Sequence, residues 1–200
     1  MEVKPVTLVG SAVCLEPLSE AHFGGLCDVG LDASIWQYML YGVIDTPEKM
    51  MAFIRDLLKR VERGTDLPFA VIDRQAGTAI GCTRYMDIQP QNRGLEIGGT
   101  WYGKAYQRTA ANTECKTLLL THAFENLGCI RVQFKTDSRN TASQKALERI
   151  GAVREGILRD HMIRPDGTVR SSVYYSILKN EWPVVRERLG ALLKNRPEQA

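Results

Sequence analysis

The sequence predicts an α/β fold of α+β layers: one mixed, mostly antiparallel, twisted sheet of six to seven strands, with a parallel pair near its centre and helices on both faces. Three observations carry this. First, PFAVID (68–73), AIGCTRYMDI (79–88) and LEIGGTWY (95–102) follow one another across short turns at Gln75-Ala76-Gly77 and Gln91-Asn92-Arg93-Gly94. Connections this short make an antiparallel meander. Second, LEIGGTWY is followed by a helical pattern and then by IRVQFKTD (130–137). A strand–loop–helix–strand unit of that length closes as a right-handed parallel crossover, so 95–102 and 130–137 should run side by side in the same direction. Third, AVREGILRDHMI (152–163) and VRSSVYYSIL (169–178) flank the turn Arg164-Pro165-Asp166-Gly167 and read as a terminal hairpin.

The remaining elements follow in order. Val13, Leu15 and Leu18 support a first strand ending at Pro17, and Ser19 caps a short helix carrying Phe23, Leu26 and Cys27. Residues 30–45 are irregular but aromatic, with Trp36, Tyr38 and Tyr41. Thr46-Pro47-Glu48 is a cap followed by proline at the first helical position. Met50, Ile54, Leu57, Leu58 and Val61 then keep a helical stripe to Gly64. A helix after Asn112 presents Leu119, Leu120, Ala123, Phe124 and Leu127 on its apolar face and closes at Gly128. Asn140 caps a helix over 141–150 ended by Gly151, and 182–195 is amphipathic enough to dock as a last helix. We expect a single domain over 1–182 and a helical tail over 183–200.

Composition bounds the function. The 200 residues are 44% hydrophobic and 24% charged, ordinary for a globular domain with a sizeable core. The net charge is only +3, and no Lys/Arg run exceeds two residues, which weakens a nucleic-acid role. The five cysteines form no CxxC pair and the three histidines are not spaced as ligands with them, so a zinc site is not expected and free thiols in a reducing compartment are. Nothing approaches the apolar length of a membrane span and the N-terminus lacks a signal-peptide core, so the expected location is the cytoplasm.

Three segments have chemistry to offer. The stretch Gln107-Arg108-Thr109-Ala110-Ala111-Asn112-Thr113 opens a helix with small or donor-bearing side chains. The first amides of a helix have no intrahelical partner and sit in the positive end of its dipole, so they can hold a phosphate, with Arg108 adding a charge-assisted bond. A plain helix start capped by Thr109 or Asn112 fits the same residues. EIGGTWY (96–102) has two glycines inside a strand, which mark a bulge or a place where a ligand approaches the backbone. In DSRNTASQKALERIG (137–151), Asn140 is an N-cap, and Ser143 lies on one helical face with Ala146, Leu147 and Ile150. All three segments fall at the carboxyl ends of the two parallel strands, where open α/β sheets bind ligands.

From about Leu15 to Trp182 the chain resembles the GCN5-related N-acetyltransferases, and within them the branch of the RimJ/RimL-type ribosomal-protein acetyltransferases. The resemblance rests on LEPL (15–18), EIGGTWY (96–102), QRTAAN (107–112) with TECKTLLLTHAFENLG (113–128), RNTASQKALERIGAVREGIL (139–158), and VRSSVYYSIL before EW (169–182). It implies that acetyl-coenzyme A lies between two splayed strands with its pyrophosphate on a Q/R-x-x-G-x-G/A loop. Here that loop reads Gln107-x-x-Ala110-x-Asn112, departing at both small positions. The coenzyme-binding residues so implied are Trp101, Tyr102, Gln107, Arg108, Thr109, Ala110, Ala111, Asn112, Thr113, Asn140, Ser143 and Lys145. The catalytic candidates are Ser143, as donor to the leaving thiolate, Asn140 on the coenzyme arm, and Glu96 as base. Many relatives carry a tyrosine acid one turn beyond the serine, where this chain has Leu147. Asp160 and His161 are further base candidates, amides of 100–102 are oxyanion donors, and Trp36, Tyr38 and Tyr41 are shapers of the acceptor pocket. The implied reaction is acetyl transfer to a primary amine, a protein N-terminus or a small molecule, without metal. A catalytically weak coenzyme-A sensor on the same fold is the alternative. The resemblance also allows a homodimer, with the C-terminal helix as a candidate contact.

Overall fold

The computed structural model describes residues 1–194, and the last six residues of the expected tail, 195–200, lie outside the described residues. Its sheet has eight strands: β1 (Leu8–Val9), β2 (Val13–Pro17), β3 (Leu67–Asp73), β4 (Thr78–Gln89), β5 (Gly94–Tyr102), β6 (Arg131–Asp137), β7 (Val153–Ile163) and β8 (Val169–Leu178). They lie in the order β1-β2-β3-β4-β5-β6-β8-β7. The meander β3-β4-β5 and the hairpin β7-β8 are antiparallel, and β5 and β6 are the parallel pair. The strand added to those expected is β1, whose two residues are too few to show a periodicity.

The helices are α1 (Phe23–Gly30), α2 (Pro47–Glu62), α3 (Ala111–Thr121), α4 (Thr141–Ile150) and α5 (Trp182–Lys194). The start of α2 is as expected, with Thr46 Oγ1 accepting from the Lys49 amide and Pro47 at the first position. The start of α3 differs. Ala110 occupies its N-cap position, and Asn112 already lies in the first turn. The reason is Thr109, whose hydroxyl donates to Tyr106 O at 2.7 Å and accepts from the Ala111 amide at 3.2 Å, doing the capping one residue early. The last turn widens to a π-type turn over His122–Asn126, and Gly128, at φ 69°, reverses the chain into β6.

The two faces of the sheet carry two cores. One buries Phe69, Tyr85, Leu95, Ile97, Phe134 and Tyr175 against α3, α4 and α5. The other buries Leu26, Trp36, Met50, Phe53, Ile54 and Trp101 against α1 and α2. The five cysteines are unpaired thiols, and burial pushes Cys82 and Cys115 up to about 12. Among the described residues, no helix is long and apolar enough to cross a membrane.

One buried carboxylate ties the N-terminal segment down. Glu114 on α3 accepts from the amides of Ser11, Ala12 and Val13 and from the Ser11 hydroxyl at 2.5–2.9 Å. Glu114→Ala leaves those donors unsatisfied, and we expect it to lower stability by about 2 kcal/mol, measured by urea unfolding.

Candidate active site

The site begins where the central ladder stops. β5 and β6 pair only over Gly94–Arg131, Leu95–Val132 and Glu96–Gln133, although β5 runs on to Tyr102 and β6 to Asp137. Beyond Glu96, β5 leans towards its other neighbour, with Trp101 opposite Cys82 and Tyr102 opposite Gly81. Two glycines permit the lean. A Cβ on Gly81 would stand 2.2 Å from Trp101 O, so no other residue lets the strands come so close. Gly99 takes φ 59°, and a Cβ there would meet Arg84 Nε at 2.9 Å and Tyr41 Oη at 3.1 Å. Arg84 is itself fixed, with Nη1 2.9 Å from Asp66 and the guanidinium over the Tyr41 ring. The result is a parting between two co-directional strands, with main-chain groups on its edges that the ladder does not use.

Two helices start at the open end. β5 leads through a turn at Lys104–Tyr106 into α3, and β6 leads through Ser138–Asn140 into α4, so both N-termini stand at the carboxyl ends of the parting strands. Ahead of α3, Arg108 is left-handed at φ 62°, while Ala110 stays at φ −68°. The unusual dihedral therefore falls on Arg108, and Ala110 presents its amide without strain. No side chain caps α3 at Ala110. Gln107 Nε2 donates to Tyr102 O at 3.1 Å and the Tyr102 hydroxyl reaches Asn112 Oδ1 at 3.4 Å, which anchors this loop to the end of β5. At α4, Asn140 Oδ1 accepts from the Ser143 amide at 3.0 Å, so the cap holds the backbone that carries the serine. Arg149 donates to Thr113 Oγ1 at 3.0 Å and joins α4 to α3.

Glu96 stands at the apex of the parting, on the last position of β5 paired to β6. It is 2% exposed. Its neighbours are Lys135 Nζ at 3.4 Å and Gln133 Nε2 at 3.2 Å. Burial raises its pKa, and Lys135 and Gln133 only partly offset that. Register puts Gln133, Lys135 and Asp137 of β6 on the face shared with Ser172 and Tyr174 of β8. Asp137 is gripped there by Arg164 and Arg139, with Arg170 4.0 Å away. Arg164 also donates to Gln37 O and lies over the Tyr38 ring, pinning the β7–β8 turn to the aromatic segment. His161 shares a hydrogen bond with Ser172 Oγ at 3.1 Å, and its pKa is lowered by burial, then by Lys135 and Arg170.

The structure thus groups Gln107 to Thr113 at one helix start and Asn140 and Ser143 at the other, with Glu96 at the closed end between them. Lys145 is exposed on α4. The Trp101 side chain turns into the second core against Trp36 and Phe53, so what it offers a ligand is backbone. Asp160 is exposed on β7 at φ 49°. Sequence reasoning passed over Lys116 and Thr100, which meet beneath the parting at 2.9 Å. The signal was present: Lys116 falls four residues before Leu120 and seven before Ala123, on the apolar face of α3.

A sheet parted between parallel strands, with two helix starts at the opening, defines a protein that offers a ligand main-chain groups in a gap between strands. Comparison with known proteins says which. The model of the acetyltransferase (GNAT) domain matches residues 12–153, and the chain belongs to that family. A T. thermophilus protein assigned as an acetyltransferase is 40% identical, with a TM-score of 0.88 over 96% of this chain and 100% of that one. YdaF of Bacillus subtilis (strain 168), assigned as a ribosomal N-acetyltransferase, is 35% identical over 106 residues, 53% of this chain and 57% of that protein. The similarity therefore runs to the RimJ/RimL-like branch. Mycobacterium smegmatis RimJ, solved with CoA-disulfide, shares the fold at a TM-score of 0.79 and 21% identity, over 94% of this chain and 95% of that one.

Proposed function

We propose that this acetyltransferase moves the acetyl group of acetyl-coenzyme A onto a primary amine, a protein N-terminus or a small-molecule amine, by direct attack. The observation that carries the reading is the ladder that ends at Glu96–Gln133 while both strands continue. The residues fit the coenzyme: unused main-chain groups line the parting, and the α3 start has small residues, with Thr109 capping only the Ala111 amide. Ala110 to Thr113 would hold the pyrophosphate, with Gln107, Arg108 and Thr109 around it, and Asn140 would hold the arm. When bound, the coenzyme supplies a thioester, an acetyl group already activated for transfer.

The chain's own residues supply the rest. An amine attacks only when neutral, and free amines are largely protonated at pH 7. Glu96 accepts that proton, directly or through water, because burial has raised its basicity towards the working range. Those amides of 100–102 that the β4 ladder does not use would stabilise negative charge on the acyl oxygen. Ser143 donates a hydrogen bond to the departing thiolate, a leaving group of pKa roughly 8.5 that can leave with that support and take its proton from solvent.

Thiol release with a panel of amines tests the reading, since a coenzyme sensor binds acetyl-coenzyme A and releases no thiol. Within it, Ser143→Ala is expected to lower turnover more than coenzyme affinity, measured by thiol release beside calorimetry. Unchanged turnover removes Ser143 from the donor role.

A further inference from the structure

Lys116 is a lysine where an apolar residue belongs. It lies on the sheet-facing side of α3 and is only 5% exposed. Its ammonium donates to Thr100 Oγ1 at 2.9 Å and stands 6.0 Å from the centroid of the Phe134 ring. Thr100 is on β5 beyond the last residue paired to β6, and Phe134 is the first residue of β6 beyond that pair. The ammonium therefore sits under the parting from the α3 side, bonded to a residue of one lip and over the ring of a residue of the other.

The electrostatics there are one-sided. Among the described residues no carboxylate pairs with Lys116, and Glu114 two residues earlier is turned to the amides of Ser11, Ala12 and Val13. Cys115, next along the helix, is held neutral by burial, as is Tyr102. An ammonium has three donors, and the Thr100 oxygen it uses is shared with Thr83 Oγ1 at 2.8 Å. A buried cation with donors to spare is expensive to keep unless another oxygen completes it.

We propose that Lys116 is a coenzyme-positioning residue whose ammonium, oriented by Thr100, donates to an amide carbonyl oxygen of the pantetheine arm lying between β5 and β6. The inference rests on the acetyl-coenzyme A reading of the parting. A charge-assisted bond in a desolvated site adds affinity and fixes how far the arm enters, and so where the thioester stops. Burial lowers the Lys116 pKa to about 8, so this grip weakens as pH rises through that value.

Calorimetric titration with acetyl-coenzyme A tests it. Lys116→Met, which keeps the apolar stem, is expected to raise Kd by roughly tenfold or more. Lys116→Gln, which keeps a donor, should recover part of that loss. Wild-type affinity should fall above pH about 8, and the Met variant should lose this limb. A Met variant that binds within about twofold of wild type with the same pH profile overturns the proposal. Should Lys116→Met fail to fold, Thr100→Val takes the same titration, and unchanged binding there is equally fatal. A wild type that does not bind acetyl-coenzyme A overturns the reading of the site itself, and the inference with it.

Discussion

Replacing Glu96 by glutamine is expected to slow acetyl transfer by roughly 10²–10⁴-fold, the range a positioned general base supplies, while leaving acetyl-coenzyme A affinity nearly unchanged. The substitution keeps shape and burial and removes only basicity. Glu96 is the carboxylate at the closed end of the parting, and burial holds its pKa above the ordinary range despite Lys135 at 3.4 Å. The sign follows for the rate. The base works ionised, so turnover rises with pH through the raised pKa, and its acid limb stands above that of an ordinary glutamate. Glu96→Gln should erase this limb. For stability the same shift acts in reverse: the contribution is fully present below the unfolded pKa and is lost as pH rises through the folded one. Initial rates from pH 5 to 9 on both proteins check the prediction. An acid limb surviving in the glutamine variant assigns the base elsewhere, with His161 the next group to test.

The second large effect is expected at Gly81. Alanine there places a methyl 2.2 Å from Trp101 O, against backbone that cannot swing aside as a side chain would. Relief requires the upper half of β5 to leave β4, and the open side is the parting. We expect a stability loss of about 3 kcal/mol by urea unfolding, at the upper end for an overpacked core, together with weaker acetyl-coenzyme A binding. Gly128→Ala supplies the contrast: a Cβ there meets nothing within 4 Å, so only its φ of 69° opposes the change and coenzyme binding should be untouched. Unaltered binding in folded Gly81→Ala would show that the lean of β5 onto β4 does not control the width of the site.

The two substitutions also show what the sequence made legible. The β3-β4-β5 meander, the parallel pair, the terminal hairpin and the helix starts at Thr46 and Asn140 follow from turn lengths, crossover length and caps, all of which are local, whereas the placing of β8 between β6 and β7 does not. Gly98-Gly99 marked the place where the strand changes course. Gly81, which allows that change, gave no comparable signal, because its partner Trp101 lies twenty residues away and the contact exists only after β4 and β5 pair. Of the two caps open for α3, Thr109 and Asn112, the structure uses Thr109, and that choice was hidden because it depends on a turn at Lys104–Tyr106 too short for periodicity. The Arg164, Arg170 and Asp137 cluster joins three elements and could not be read from any one of them. Lys116 could have been found, because a charged residue on an otherwise apolar helical face asks for a partner.

The account stands on coenzyme being held in the parting between β5 and β6. A crystal structure of the protein with coenzyme A bound addresses that claim head on. The expected map shows the pyrophosphate against the amides of 110–113, the arm running between the two strands, and the sulfur near Ser143 and Glu96. Coenzyme density on another surface, with β5 and β6 closed into a continuous ladder to Tyr102, would contradict it.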